Sequence, residues 1–359
     1  MESAVRRLPE VPLPAGQKAV VLGYGLVGKA CLHACLAAGV RPVAVYTHAQ
    51  GADTWQEGLD AEARRLGLPC FVDVDLRDPE QIALLASWRA DVLLSFYYRD
   101  VLPEAALTTA RCGGLNLHGS LLPAYRGRAP VNWMVLHGET QGGATLHLMT
   151  RKPDTGPVVG AKRFPILPRD TAFDVLLKVK DAGVALVAEC LGPYLAGHRS
   201  PTPQTGEPST FGRRTPEDGR IDWARPASEI INLVRAVTRP FPGAFADLPD
   251  ARRMIVWWAE EAPGHDALAP GHFSGEGLRG PEGLPARAGE HAGPSDAAEM
   301  VPSAGGPSAA GGILVGTGTV PLRLVDVSFT SADSADADSG EEGAEETDCC
   351  VFRRTRGPR

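Results

Sequence analysis

None of the seven cysteines (Cys31, Cys35, Cys70, Cys112, Cys190, Cys349 and Cys350) is spaced C-x-x-C, and none shares zinc-ligand spacing with a histidine. A zinc module and a thioredoxin-type redox pair are therefore not expected. The odd count argues against a disulfide framework and for a reducing, cytoplasmic setting. No apolar run reaches the roughly 18 residues needed to span a bilayer, and the opening MESAVRRLPEVPLPAGQ has no apolar core of signal-peptide length. Lysine stops at Lys180, and residues 205–330 carry 11 Arg against 16 Asp and Glu. With a net charge of −7, the chain has no bulk attraction for nucleic acid or anionic lipid. Aromatic residues are sparse at 6%, whereas 41 Gly and 31 Pro point to long loops.

The 359 residues suggest two domains. Residues 1–17 are expected to form a flexible leader. Apolar bursts at 19–22, 42–47, 69–72, 91–96 and 113–117 predict buried strands, and 29–38, 53–66 and 78–89 predict the helices between them. Strands at 144–149 and 158–164 and a long helix over 170–192 complete a domain spanning 18–198. The alternation predicts an α/β fold with a Rossmann-like, doubly wound parallel sheet. A Pro/Thr/Gly-rich linker over 199–210 leads to a smaller β-rich domain over 211–330. That domain has one helix in which Ile230, Ile231, Val234 and Val237 recur at helical spacing. Residues 262–311 are nearly devoid of large apolar side chains and are expected to be a disordered insertion. Residues 331–359 are expected to form an acidic disordered tail.

Gly23-x-Gly25-x-x-Gly28 follows a strand and opens a helix, where a dinucleotide fingerprint belongs. That fingerprint also needs an acid at the end of the next strand, which here ends Tyr46-Thr47-His48; Asp53 comes too late. The glycines are therefore expected to serve close strand–helix packing, and an NAD(P)-binding oxidoreductase is the weaker alternative.

The stretch from Gly114 to Pro130 carries more chemistry. Leu115 and Leu117 are apolar, so strand alternation sends Asn116 and His118 to the opposite face. The strand ends at Gly119, and carboxyl ends of strands hold ligands in open α/β sheets. An amide there can donate to a developing oxyanion, and an imidazole can move a proton near neutral pH. Asp154, in a turn between two predicted strands, is the candidate carboxylate partner, with a plain turn role as the alternative. Arg213 and Arg214 are candidates for the phosphates of a nucleotide, or simply cap a loop with solvated charge.

Asn-x-His-x-Ser-x-Leu-Pro-x-Tyr-Arg-Gly over 116–127, with Asp154-Thr155-Gly156 downstream, resembles the signature of the 10-formyltetrahydrofolate-dependent formyltransferases. Within that family the stretches at 95–99, 116–133, 137–140, 211–219, 232–237 and 242–245 are most similar to the formyltransferase half of UDP-4-amino-4-deoxy-L-arabinose formyltransferases. Methionyl-tRNA formyltransferases are also similar. The resemblance implies that Asn116 stabilises the transition state, that His118 moves the proton and that Asp154 raises the pKa of His118. It implies a folate lying against Asp100, Val101, Leu102 and Arg128 and along Thr150, Arg151, Lys152, Pro153 and Asp154, with no metal. Asp100 departs from the histidine expected at that position. A small open barrel of OB-like type is implied for the second domain. The acceptor amine is then a nucleotide-linked amino sugar, charged initiator tRNA or another small amine, and the acidic second domain favours the sugar. Water as acceptor would make the chain a hydrolase.

Overall fold

A computed structural model describes residues 16–49, 58–248, 252–265, 268–274 and 313–331. The first domain opens with β1 (Lys18–Gly23), α1 (Gly25–Ala37), β2 (Arg41–Thr47), α2 (Leu59–Arg65), β3 (Cys70–Val72), α3 (Pro79–Ser87), β4 (Val92–Phe96), α4 (Glu104–Leu107) and β5 (Gly114–His118). It continues through β6 (Arg126–Gly127), α5 (Pro130–Leu136), β7 (Gln141–Leu148), β8 (Val158–Pro165), α6 (Ala172–Leu186) and, after a π-helical turn at Val187–Leu191, α7 (Gly192–Leu195). The sheet runs β3-β2-β1-β4-β5-β7-β8, parallel from β3 to β5 and antiparallel at β7 and β8.

Both faces of this sheet are buried, and strand alternation divides them. Ala19, Val21, Val92, Leu94, Leu115 and Leu117 pack towards α1, α5 and α6. Val20, Leu22, Ala44, Tyr46 and Leu93 pack with Leu85 of α3 and with Ala106 and Leu107 of α4. Asn116 and His118 stand on the face of β5 away from Leu115 and Leu117, and both line a cavity there. The glycine turn after β1 is a packing device. A Cβ on Gly28 would lie 3.2 Å from the Gly23 backbone, and one on Gly23 would lie 2.8 Å from the Leu59 side chain.

The second domain contains β9 (Thr210–Phe211), which pairs back with β6 of the first, then α8 (Ala227–Val237), β10 (Ala244–Asp247), β11 (Arg252–Glu261), β12 (Phe273–Ser274), β13 (Ile313–Val315) and β14 (Leu322–Ser331). Its curled antiparallel sheet has the order β10-β11-β14-β13-β12. Helix α8 buries Ile230, Val234 and Val237. Arg235, only 6% exposed, donates to the carbonyls of Leu167 and Asp170 and so pins α8 to the first domain.

Several boundaries differ from the sequence reading. The 199–210 segment is tied down: Thr202 exchanges backbone hydrogen bonds with Val158, and Gln204 donates to the carbonyls of Asp154 and Gly156. Strand β12 lies inside the segment expected to be unstructured. Residues 266–267 and 275–311 of that segment, residues 1–15 of the leader and residues 332–359 of the tail lie outside the described residues.

Candidate active site

Three polar side chains stand in register across the sheet. Ser95 on β4 is paired with Asn116 on β5, and Asn116 with His147 on β7. Because register neighbours share a face, the three meet in a row. The Ser95 hydroxyl donates to Asn116 Oδ1 at 2.7 Å, and Asn116 Nδ2 lies 3.1 Å from His147 Nε2. His118, two residues further along β5, is 6% exposed. A backbone carbonyl can only accept, so the 2.7 Å contact from His118 Nε2 to the Tyr125 carbonyl fixes a hydrogen on Nε2.

Asp154 completes the group from the turn between β7 and β8. Its Oδ1 lies 3.5 Å from His118 Nδ1 and 3.6 Å from His147 Nε2, and its Oδ2 accepts from the Gly127 amide at 2.9 Å. Burial opposes ionisation of Asp154, but the His118 and His147 rings, in the acid range where they carry a proton towards it, and the Gly127 amide outweigh it and hold the carboxyl at about 2. For His118 the balance runs the other way. Burial lowers its pKa, and the raising influences of Asp154 and of the Tyr125 carbonyl do not fully restore it. Asp154 thus acts upward on His118, yet the net direction is downward. The imidazole rests neutral at neutral pH, which is the state a general base needs.

Left-handed backbone is concentrated here: Tyr97, Tyr125, Ala129 and Asp154 all have φ between 51° and 63°. Such conformations cost energy in non-glycine residues and cluster where a fold fixes functional side chains. Gly127 has φ 96°, and a Cβ on it would meet the Phe211 carbonyl oxygen at 2.2 Å, so only glycine permits the β6–β9 pairing.

The cavity has a volume of about 320 Å³. Ser95, Asn116, His118, His147 and Asp154 form its polar wall, and Leu102, Leu107 and Met149 an apolar one. Tyr24, Tyr97, Tyr98 and Arg99 line the end below β1 and β4, with the Arg99 guanidinium 3.8 Å from the Tyr24 ring centroid. Among the residues named from the sequence, Asp100, Val101, Leu102, Arg128, Thr150, Pro153 and Asp154 line the cavity. Arg151 and Lys152 are exposed beside it and do not. Arg213 and Arg214 also stand apart from it. Arg214 is 4% exposed, lies over the Trp133 ring and donates to the Asp218 carbonyl. Ser95 and His147 were missed. The trace they leave in the sequence is one serine in the apolar run VLLSF and one histidine, two places after Thr145, in ATLHLM. Among the described residues no cluster of His, Cys, Asp and Glu could hold a metal ion, and no helix is long and apolar enough to cross a membrane.

The family model described as formyl transferase matches residues 17–191, and that of the formyl transferase C-terminal domain matches residues 213–280. The two matches together take in well over half of the chain and include every member of the polar wall. The chain belongs to the formyltransferase family. It is an enzyme of one-carbon transfer. This formyltransferase shares its fold with an N-formyltransferase from Helicobacter canadensis in complex with folinic acid and dTDP-3-aminofucose, at 16% identity and a TM-score of 0.59 over 86% of this chain and 99% of that one. A sugar N-formyltransferase from a Shewanella species matches at 16% identity and a TM-score of 0.56, covering 67% of this chain and 96% of its own. HypX from Aquifex aeolicus in complex with tetrahydrofolic acid matches at 15% identity and a TM-score of 0.55. That match covers 89% of this formyltransferase and 47% of HypX.

Proposed function

We propose that the chain transfers the formyl group of 10-formyltetrahydrofolate to the amine of a nucleotide-linked amino sugar. The observation that carries the reading is the convergence of Asn116, His118 and Asp154 on one wall of one cavity. A folate fits that cavity chemically. Leu102, Leu107 and Met149 offer a flat ring apolar contact, while the polar wall offers hydrogen bonds to its edges. Asp100, Val101, Arg128, Thr150 and Pro153 would hold it at the rim, with Arg151 and Lys152 outside towards its acidic tail.

The folate supplies the formyl carbon. As the amine attacks, negative charge gathers on the formyl oxygen and Asn116 Nδ2 donates to it. His118, resting neutral, takes a proton from the attacking nitrogen. Asp154 then faces an imidazolium at 3.5 Å and stabilises it, so that part of the cost of burying that charge is offset as it forms. The departing folate nitrogen regains a proton as the carbon–nitrogen bond breaks, and His118 can return the one it took. No residue is consumed and no redox step is needed.

The sugar is favoured over tRNA by charge. A tRNA enzyme draws its affinity from phosphate contacts, whereas in the second domain Arg220 and Arg253 are paired with Asp247, and Arg239 with Asp326. The two sugar enzymes with the same fold support the choice, and UDP-4-amino-4-deoxy-L-arabinose is the first acceptor to try. Because neither Arg213 nor Arg214 lines the cavity, a phosphate role for them requires the nucleotide to extend beyond it. The test is release of tetrahydrofolate from 10-formyltetrahydrofolate in the presence of a panel of nucleotide amino sugars or of charged initiator tRNA. Release with a sugar and not with tRNA is expected. Release only with tRNA, or formate production without an acceptor, would contradict the reading.

A further inference from the structure

Asn116 can donate to an oxyanion only if its amide is the right way round. Ser95 cannot ensure this, because a hydroxyl that donates to Oδ1 could equally accept from Nδ2. His147 can. It is 1% exposed on β7, and its Nδ1 lies 2.9 Å from the Leu148 carbonyl, an acceptor only, so Nδ1 carries a hydrogen. A neutral ring then leaves Nε2 bare. A bare nitrogen 3.1 Å from Asn116 demands Nδ2 there, which sends Oδ1 to Ser95. The titratable groups facing His147 are Asp154 from the β7–β8 turn and His118 from β5. Asp154 Oδ1, at 3.6 Å from Nε2, is beyond hydrogen-bond length, so Asn116 is the closer polar partner of that nitrogen.

We propose that His147 is a positioning residue: as the neutral Nδ1–H tautomer it locks the Asn116 amide with Nδ2 towards β7, leaving the second hydrogen of Nδ2 for the cavity. The inference rests on the formyl-transfer reading for its kinetic consequence but not for the tautomer itself. The Leu148 carbonyl sets the ring tautomer, the ring sets the amide, and the amide sets the oxyanion donor. The first link lies within β7 and its end, and the second crosses from β7 to β5, so no loop movement is required to keep them.

The test combines spectroscopy on the full chain with two variants. Ring nitrogen NMR shifts of His147 in the wild-type protein should show Nδ1 protonated and Nε2 bare. His147→Leu, which offers Asn116 no acceptor, should lower kcat by about tenfold or more while the KM for the folate changes little, because the lost contact is realised in the transition state. His147→Gln places a carbonyl oxygen within reach of the same Nδ2 and should recover most of kcat. A ring protonated on Nε2 would overturn the proposal, as would full kcat in His147→Leu, or equal loss in the two variants when both retain the wild-type circular dichroism. A wild-type chain that transfers no formyl group to any acceptor would sink the functional reading instead, and the NMR result would still decide the tautomer.

Discussion

At the residue scale, two buried histidines lie on either side of one carboxylate and are given different work by single backbone carbonyls. The Tyr125 carbonyl holds the Nε2 hydrogen of His118, and the Leu148 carbonyl holds the Nδ1 hydrogen of His147. His118 is left with Nδ1 towards Asp154, where a proton gained is stabilised. His147 is left with Nε2 towards Asn116, where a bare nitrogen is useful. A pH dependence follows. Burial sets the pKa of His118 below the ordinary 6.5, so kcat/KM should rise with pH through a midpoint below that value and be flat at neutrality. Asp154 acts upward on that midpoint. Asp154→Asn should therefore move the acid limb to still lower pH while depressing the plateau; a limb that moved upward would contradict the assigned pairing. The pair Asn116 and His118 was legible in the sequence, because alternation in GLNLH separates them from Leu115 and Leu117. His147 was not, since one histidine among apolar strand residues is commonly a satisfied core side chain. Only the β5–β7 register brings it to Asn116.

At the element scale, the strands were legible and the short connecting pieces were not. Apolar runs marked β1, β2, β4 and β5 because a sheet buried on both faces needs continuous hydrophobicity. Helix α5 was missed, since it opens at Pro130 directly after a loop rich in Gly, Pro and Arg. The β6–β9 pairing is two residues long and has no local signature. That pairing matters to the site, because Gly127 both accepts the close approach of Phe211 and donates its amide to Asp154. Gly127→Ala should destabilise the protein by about 1–3 kcal/mol through its left-handed backbone and the clash, and should lower kcat more than it raises the KM of the folate. Wild-type stability in chemical denaturation would contradict this. Away from the site, α2 is tied to α1 through Glu62, whose side chain is 2% exposed and meets Arg65, His33 and Lys29. The Arg65 hydrogen bond, against the opposing effect of burial and with help from His33 and Lys29, holds the Glu62 carboxyl at about 2. A depressed carboxylate contributes stability above its ordinary 4.5 and loses it as pH falls towards 2. Glu62→Gln should therefore narrow the stability difference between near-neutral and strongly acidic solution, measured by denaturant midpoint. An unchanged difference would show that the α1–α2 tie carries no pH dependence.

At the scale of the whole molecule, composition and alternation were enough to expect a Rossmann-like domain followed by a small β domain. How the two dock was beyond the sequence. The helix pattern of 227–237 shows an apolar face, but nothing in it shows that Arg235 reaches across to the Leu167 and Asp170 carbonyls or that the Asn132 side chain of α5 donates to the Ala236 carbonyl. Arg214, which the sequence offered as a phosphate ligand, is spent on Trp133 and on the turn at Asp218. Arg235→Leu would leave those carbonyls and the Asn232 side chain without their donor, at a cost of about 1–3 kcal/mol. Calorimetry should then resolve the second domain melting ahead of the first; one unchanged transition would mean that the apolar α5–α8 contact suffices to couple them.

The measurement that bears most directly on the whole account is single-turnover formyl transfer by His118→Ala, with Asn116→Ala in parallel, using the acceptor that the wild-type chain uses. Each variant should keep the wild-type circular dichroism and lose about two orders of magnitude or more in rate, the usual magnitude for a general base or an oxyanion donor. Near-wild-type transfer by either one would mean that the polar wall of this cavity is not where the formyl group changes hands.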